Sequence, residues 1–81
     1  MAELEILWTP AALWALRSLH WREGGLIDAA VQKFARTGEG RVVRIEGSSL
    51  RMRLYAPPYI VRFNLDQDTG VLVVVWVWRQ E

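Results

Sequence analysis

Hydrophobic and polar positions along this 81-residue chain change their period twice, and each change marks a boundary between kinds of element. Over residues 3–8 the pattern alternates, Leu4, Ile6 and Trp8 against Glu3, Glu5 and Leu7, which predicts an N-terminal strand. Thr9 and Pro10 then have the form of an N-cap followed by proline at the first helical position. The helix they open is expected to reach about residue 19, burying Ala12, Leu13, Leu16 and Leu19, with His20 and Trp21 ending or bending it. In a second helix Ile27, Ala30, Val31 and Phe34 recur at i, i+3, i+4 and i+7, while Asp28, Gln32, Lys33 and Arg36 take the solvent side. Gly24-Gly25 blurs its start, and Thr37-Gly38 supplies its stop.

From Val42 onward the period is two, through stretches 42–45, 50–55 and 59–65, with turns at Gly47-Ser48-Ser49 and Ala56-Pro57-Pro58. Asp66-Gln67-Asp68-Thr69-Gly70 is a further turn. After it, residues 71–78 are apolar at every position, which predicts an interior strand rather than an edge. The expected fold is therefore α+β, one domain over residues 1–81: an N-terminal strand and two helices packed on one face of a mainly antiparallel, twisted sheet, in the order β-α-α-β-β-β-β. Two helices cover one face only. Strict alternation would leave Val71, Val73, Val75 and Val77 on the other, where a partner is expected to cover them together with the surface around Pro57, Pro58 and Tyr59.

Composition strengthens the case for a partner. Hydrophobic residues make up 52% of the chain, five of them tryptophan, more apolar surface than a domain of this size readily hides. Trp14, Trp76 and Trp78 are expected as core or partner anchors. There is no cysteine, which removes disulfides and thiolate metal sites. No apolar run approaches a membrane span, and the opening MAELEILWTP has acids but no basic region, so a soluble, cytoplasmic protein without a membrane partner is expected.

Net charge is only +1, but its distribution is uneven: Arg41, Arg44, Arg51, Arg53 and Arg62 lie between residues 41 and 64 against the single acid Glu46. By strand parity Arg51, Arg53 and Tyr55 point away from Leu50, Met52 and Leu54, and Ile60, Arg62 and Asn64 away from Tyr59, Val61 and Phe63. The helices need the apolar side, so the arginines are expected on the open face, with Arg79 joining them by the parity of the valines. Guanidinium groups around an apolar centre suit phosphate, because each offers permanent charge and bidentate donors.

The order strand, two helices, Arg44-Ile45-Glu46-Gly47, Arg51-Met52-Arg53, Tyr59 and a valine-rich strand ending in Arg79 resembles the RelE/ParE superfamily of bacterial type II toxins over nearly the whole chain. The resemblance implies a small toxin neutralised by a cognate antitoxin, with a second copy of the chain as a possible cover when the antitoxin is absent. In its RelE-like branch it implies a ribosome-dependent mRNA endonuclease that needs no metal or cofactor. Arg51, Arg53, Arg62 and Arg79 would then be the catalytic residues, and Arg41, Arg44, Arg51, Arg53, Tyr55 and Arg62 the RNA contacts. Pro57, Pro58, Tyr59, Val73, Val75 and Val77 would meet the protein partner. The chain departs from that pattern at Ile60, where many members carry a catalytic arginine, and at its Gln80-Glu81 end, where active members continue to a Tyr or His. The only histidine, His20, lies in the helical half. Two other readings follow: a ParE-like inhibitor of DNA gyrase, and a degenerate member that only binds a protein partner.

Overall fold

A computed structural model describes residues 3–45 and 51–80. Its elements are β1 (Glu5–Trp8), α1 (Pro10–Arg17), α2 (Trp21–Thr37), β2 (Arg41–Arg44), β3 (Arg51–Ala56), β4 (Tyr59–Asp66) and β5 (Val71–Arg79). The expected α+β order is present. Glu46, the Gly47-Ser48-Ser49 turn and Leu50 lie outside the described residues.

The five strands form one sheet in the order β1-β5-β4-β3-β2. Strands β2 to β5 make an antiparallel meander, and β1 adds parallel to β5. The apolar strand β5 is thus interior, as its composition demands. Tight turns need little sequence: Asp66 Oδ1 accepts from the amides of Asp68 (3.0 Å) and Thr69 (3.3 Å), and Gly70 turns the chain at φ 70°. The β3–β4 turn passes through a cis bond between Pro57 and Pro58.

Thr9 starts α1 as expected, its Oγ1 accepting from the Ala12 amide at 3.1 Å. The helix ends at Arg17, two residues before Leu19. α2 begins at Trp21, earlier than its glycines suggest, because His20 caps it through Nδ1, which accepts from the Arg22 amide at 3.2 Å. Each internal glycine costs about 1 kcal/mol of helix propensity. Packing of Ile27, Val31, Phe34 and Ala35 against the sheet overrides that cost. Gly38, left-handed at φ 75°, ends the helix.

The core lies between α2 and the sheet: Ile27, Val31 and Phe34 meet Leu54, Val61, Phe63, Leu72 and Val74. The Phe34 and Phe63 rings pack 5.3 Å apart between centroids at 52°. α1 contributes fully buried Ala12, with Ala15 and Leu16 partly buried around it and Leu19 just beyond the helix end. Trp14, expected as core or anchor, is 74% exposed on the outer side of α1, so it has no core role.

Strict alternation fails once, in β5. Phe63 pairs with Val74 and Arg62 with Trp76, so Val75 is an extra residue in a β-bulge. Everything after it changes face. Val77 pairs with Val61 and is buried beneath the helices, not on the open face. Arg79 pairs with Tyr59, on the helix side.

Candidate functional site

The register lays out the uncovered face in rows across the strands. Nearest the proline turn stand Arg41, Tyr55, Ile60 and Trp78; next come Val43, Arg53, Arg62 and Trp76; then Arg51, Asn64, Val73 and Leu7; and last Asp66, Val71 and Glu5. Among the described residues, the first three rows contain cations and no acid. The acids stand together at the far end, so the face is electrostatically polarised along the strands.

Arg53 and Arg62 are directly opposed across β3 and β4. Like charges at that spacing repel, and neither has a carboxylate in its row. The Nε of Arg62 is buried and has no hydrogen-bond partner, a group that normally finds one. An anion between the two guanidinium groups would offset their repulsion. Arg51 lies on the same face, one row further along. The structure therefore brings together Arg51, Arg53 and Arg62.

Arg41 and Tyr55 are beside them, with the Arg41 guanidinium 5.5 Å from the centre of the Tyr55 ring. Arg53 lies 5.8 Å from the Trp78 ring in the same way. Between these two aromatic groups Ile60 is only 5% exposed, a flush apolar floor at the position where the family resemblance calls for a cation. Arg44 is not part of this surface: it pairs with Met52, on the helix side of β2.

Arg79 is excluded by the bulge and belongs to a different cluster. There the Tyr59 hydroxyl donates to Glu23 Oε2, on the first turn of α2. That bond raises the Tyr59 pKa above its usual 10.0, with burial and the charge of Glu23 acting the same way and Arg79 acting against them. Tyr59 is buried by its own chain. It is thus not available as a surface contact in this state, whereas Pro57 and Pro58 are exposed at the turn and Val73 and Val75 are half-buried. Sequence reasoning missed the Tyr59–Glu23 tie, whose partners are 36 residues apart.

Sequence reasoning also missed Trp76 on the arginine face, where it is 45% exposed opposite Arg62. Leu7 and Val43 are exposed on the same face. Among the described residues no group of three or more His, Cys, Asp or Glu stands together as a metal site, and no helix is long and apolar enough to cross a membrane.

Two helices on one face of a β1-β5-β4-β3-β2 sheet make a fold that this chain shares with solved structures of toxin–antitoxin complexes of the RelE and ParE kind. The archaeal RelE–RelB complex from Pyrococcus horikoshii OT3 matches with a TM-score of 0.81 over 95% of this chain and 94% of that one, at 13% identity. The RelBE2 toxin–antitoxin complex of Mycobacterium tuberculosis matches at 0.69 over 99% and 94%, at 22% identity. The chromosomal ParDE system of P. aeruginosa matches at 0.71 over 96% and 97%, at 13% identity. No family model matches the chain, and no curated protein matches it by sequence. RelE–RelB and ParDE structures share this fold, so the fold alone does not choose between the RelE-like and ParE-like readings.

Proposed function

We propose that the chain is the toxin of a toxin–antitoxin pair, acting in the cytoplasm on ribosome-bound mRNA through its arginine-bearing sheet face. The observation that carries this reading is the facing pair Arg53 and Arg62, like-charged, without an acid in their row and with the Arg62 Nε unpartnered. A phosphodiester supplies the missing counter-charge.

In such a complex Arg53 and Arg62 would hold the non-bridging oxygens of the scissile phosphate, and Arg51 the next phosphate along the strand. Attack by the ribose 2′-oxygen forms the bond to phosphorus and expels the 5′-oxygen. Charge builds on the phosphoryl oxygens as it does so, where fixed guanidinium groups stabilise it most. Arginine stays protonated and is no general base. The 2′-hydroxyl proton therefore goes to water, and water supplies the one taken by the leaving oxygen, which makes the chain a slow nuclease that relies on positioning and electrostatics. An antitoxin segment, or a second copy of the chain, would cover Leu7, Val73 and Val75 beside the arginines and the exposed turn at Pro57 and Pro58.

A non-catalytic reading, either gyrase inhibition or partner binding alone, is favoured by one observation: the buried Ile60 between Tyr55 and Trp78. Induced expression separates the readings. Growth arrest with new transcript ends by primer extension, both lost in the Arg51→Ala/Arg53→Ala double variant, is the expected result. Arrest with impaired supercoiling and intact transcripts would establish gyrase as the target. Antitoxin capture with neither effect would leave partner binding as the only function.

A further inference from the structure

The bulge at Val75 has a chemical consequence. By turning the strand over it moves the Trp76 indole onto the open face, in one row with Arg62 and Arg53. Bulges re-aim side chains in this way at functional positions. Neighbouring strands lie about 4.8 Å apart, so the row sets an exposed ring beside two cations at successive strand spacings. Trp78, two residues on, already has Arg53 near its ring. Trp21 is more exposed, at 73%, but it sits on the helix layer with His20 and Arg22 against it. Trp76 is the described tryptophan that combines an exposed ring with a cationic row.

We infer that Trp76 is a stacking platform for an unpaired nucleobase, with Arg53 and Arg62 holding the phosphates beside it, so that the face takes single-stranded RNA. This rests on the reading of the face as an RNA surface and adds to it the residue that holds a base there. An indole face accepts a base only where the base is unstacked from its neighbours, and such stacking tolerates any base. Charge complementarity favours a nucleic acid over an apolar protein segment: the row offers two facing cations with no acid beside them, and a polyanion offsets both. The acids Asp66 and Glu5 close the far end, so the strand would run across the arginine rows and stop short of them.

Binding of a fluorescein-labelled oligoadenylate to the full chain, followed by anisotropy and by tryptophan quenching, tests this. Base–aromatic stacking measured by substitution predicts that Trp76→Leu weakens binding between about 5-fold and about 150-fold. Trp76→Phe should retain most of the affinity. Trp14→Leu, which removes an exposed indole from the helix layer, should change nothing. The Trp76→Leu variant should keep its salt dependence, whereas Arg53→Ala/Arg62→Ala should flatten the slope of log K against log salt by about 1.4, at about 0.7 per phosphate contact on a single strand. A duplex of the same sequence should bind more weakly.

Equal binding by wild type and Trp76→Leu, or a preference for duplex, would overturn the inference. Binding of polyglutamate but not of oligoadenylate would overturn it in favour of a protein occupant. The outcome is separable from the proposed activity. Transcript cleavage in cells without oligoadenylate stacking sinks only the inference, and stacking without growth arrest sinks only the toxin reading.

Discussion

Replacing Thr9 with Val should cost this small domain a large part of its stability, although the side chain keeps its shape. Thr9 Oγ1 has two partners. It accepts from the Ala12 amide at 3.1 Å, capping α1, and it donates to the carbonyl of Val75, the bulge residue, at 3.2 Å. The adjacent backbone holds the same junction, the Thr9 amide donating to the Val74 carbonyl at 3.0 Å. One hydroxyl therefore joins the start of a helix to the irregularity that sorts β5 between faces.

The magnitude follows from the two bonds. Loss of an N-cap costs about 1 kcal/mol, and a partly buried carbonyl left without its donor about another 1 to 2. Both go together in Thr9→Val, giving roughly 2–3 kcal/mol. A domain of 81 residues holds about 4–12 kcal/mol in all. Loss on this scale lowers Tm by about 10–20 °C. Thr9→Ser keeps the hydroxyl and should stay within about 1 kcal/mol of wild type. Urea unfolding followed by circular dichroism measures all three. A Val variant within about 0.5 kcal/mol of wild type, or a Ser variant as damaged as Val, would refute the shared role of this oxygen.

Three further outcomes are expected. The raised pKa of Tyr59 means that the folded state holds this proton more tightly than the unfolded one, so its contribution is whole below pH about 10 and is lost as pH rises through the folded value; Tyr59→Phe should therefore flatten the alkaline limb of the stability curve, as measured by urea unfolding across that range. Gly40→Ala should destabilise by about 1–3 kcal/mol, because Gly40 sits at φ 153° and a Cβ there would lie 2.9 Å from Leu54 Cδ1 in the core; an unchanged urea midpoint would show that Leu54 yields freely. Deletion of Val75 should leave every partner of β4 in place, Arg62 with Trp76 and Val61 with Val77, and lose about 1 kcal/mol with the Thr9 contact; loss of cooperative unfolding would show that the bulge is needed for the fold.

Most of the element order was legible because its signals are local. Thr9-Pro10, Thr37-Gly38 and the aspartate-rich turn before Gly70 act on their own neighbours, and the change of apolar period near Val42 needs no tertiary information. The start of α2 was not legible. Gly24-Gly25 argues for a later start, and the His20 cap together with packing of Ile27 and Val31 onto the sheet extends the helix back to Trp21. Arg51, Arg53 and Arg62 were placed together correctly since β3 and β4 alternate without interruption between them. Arg79 and Val77 were not, as both lie beyond the bulge, and the tie of the Tyr59 hydroxyl to Glu23 joins residues too far apart for the local pattern to show.

A physical reason for the bulge was nonetheless present in the residues after Val74. In a regular ladder Arg62 would face Val75, and Trp76 and Trp78 would then face Val61 and Tyr59, on the helix side. Two indoles would have to enter a layer where Val61 and Phe63 are 0% and 1% exposed. Added volume in a closed core strains it by about 1–3 kcal/mol per site, and each indole N–H would need a buried acceptor. One extra residue exchanges the faces: Val77 enters the packed layer, and Trp76 and Trp78 go to the side that no helix limits. The alternation of small and large side chains in Val75-Trp76-Val77-Trp78 thus selects the face by volume where hydrophobicity alone cannot. The same exchange leaves Arg79 beside Tyr59 and sets an exposed ring next to the arginine pair, so the composition of the site follows from how much room the helices leave.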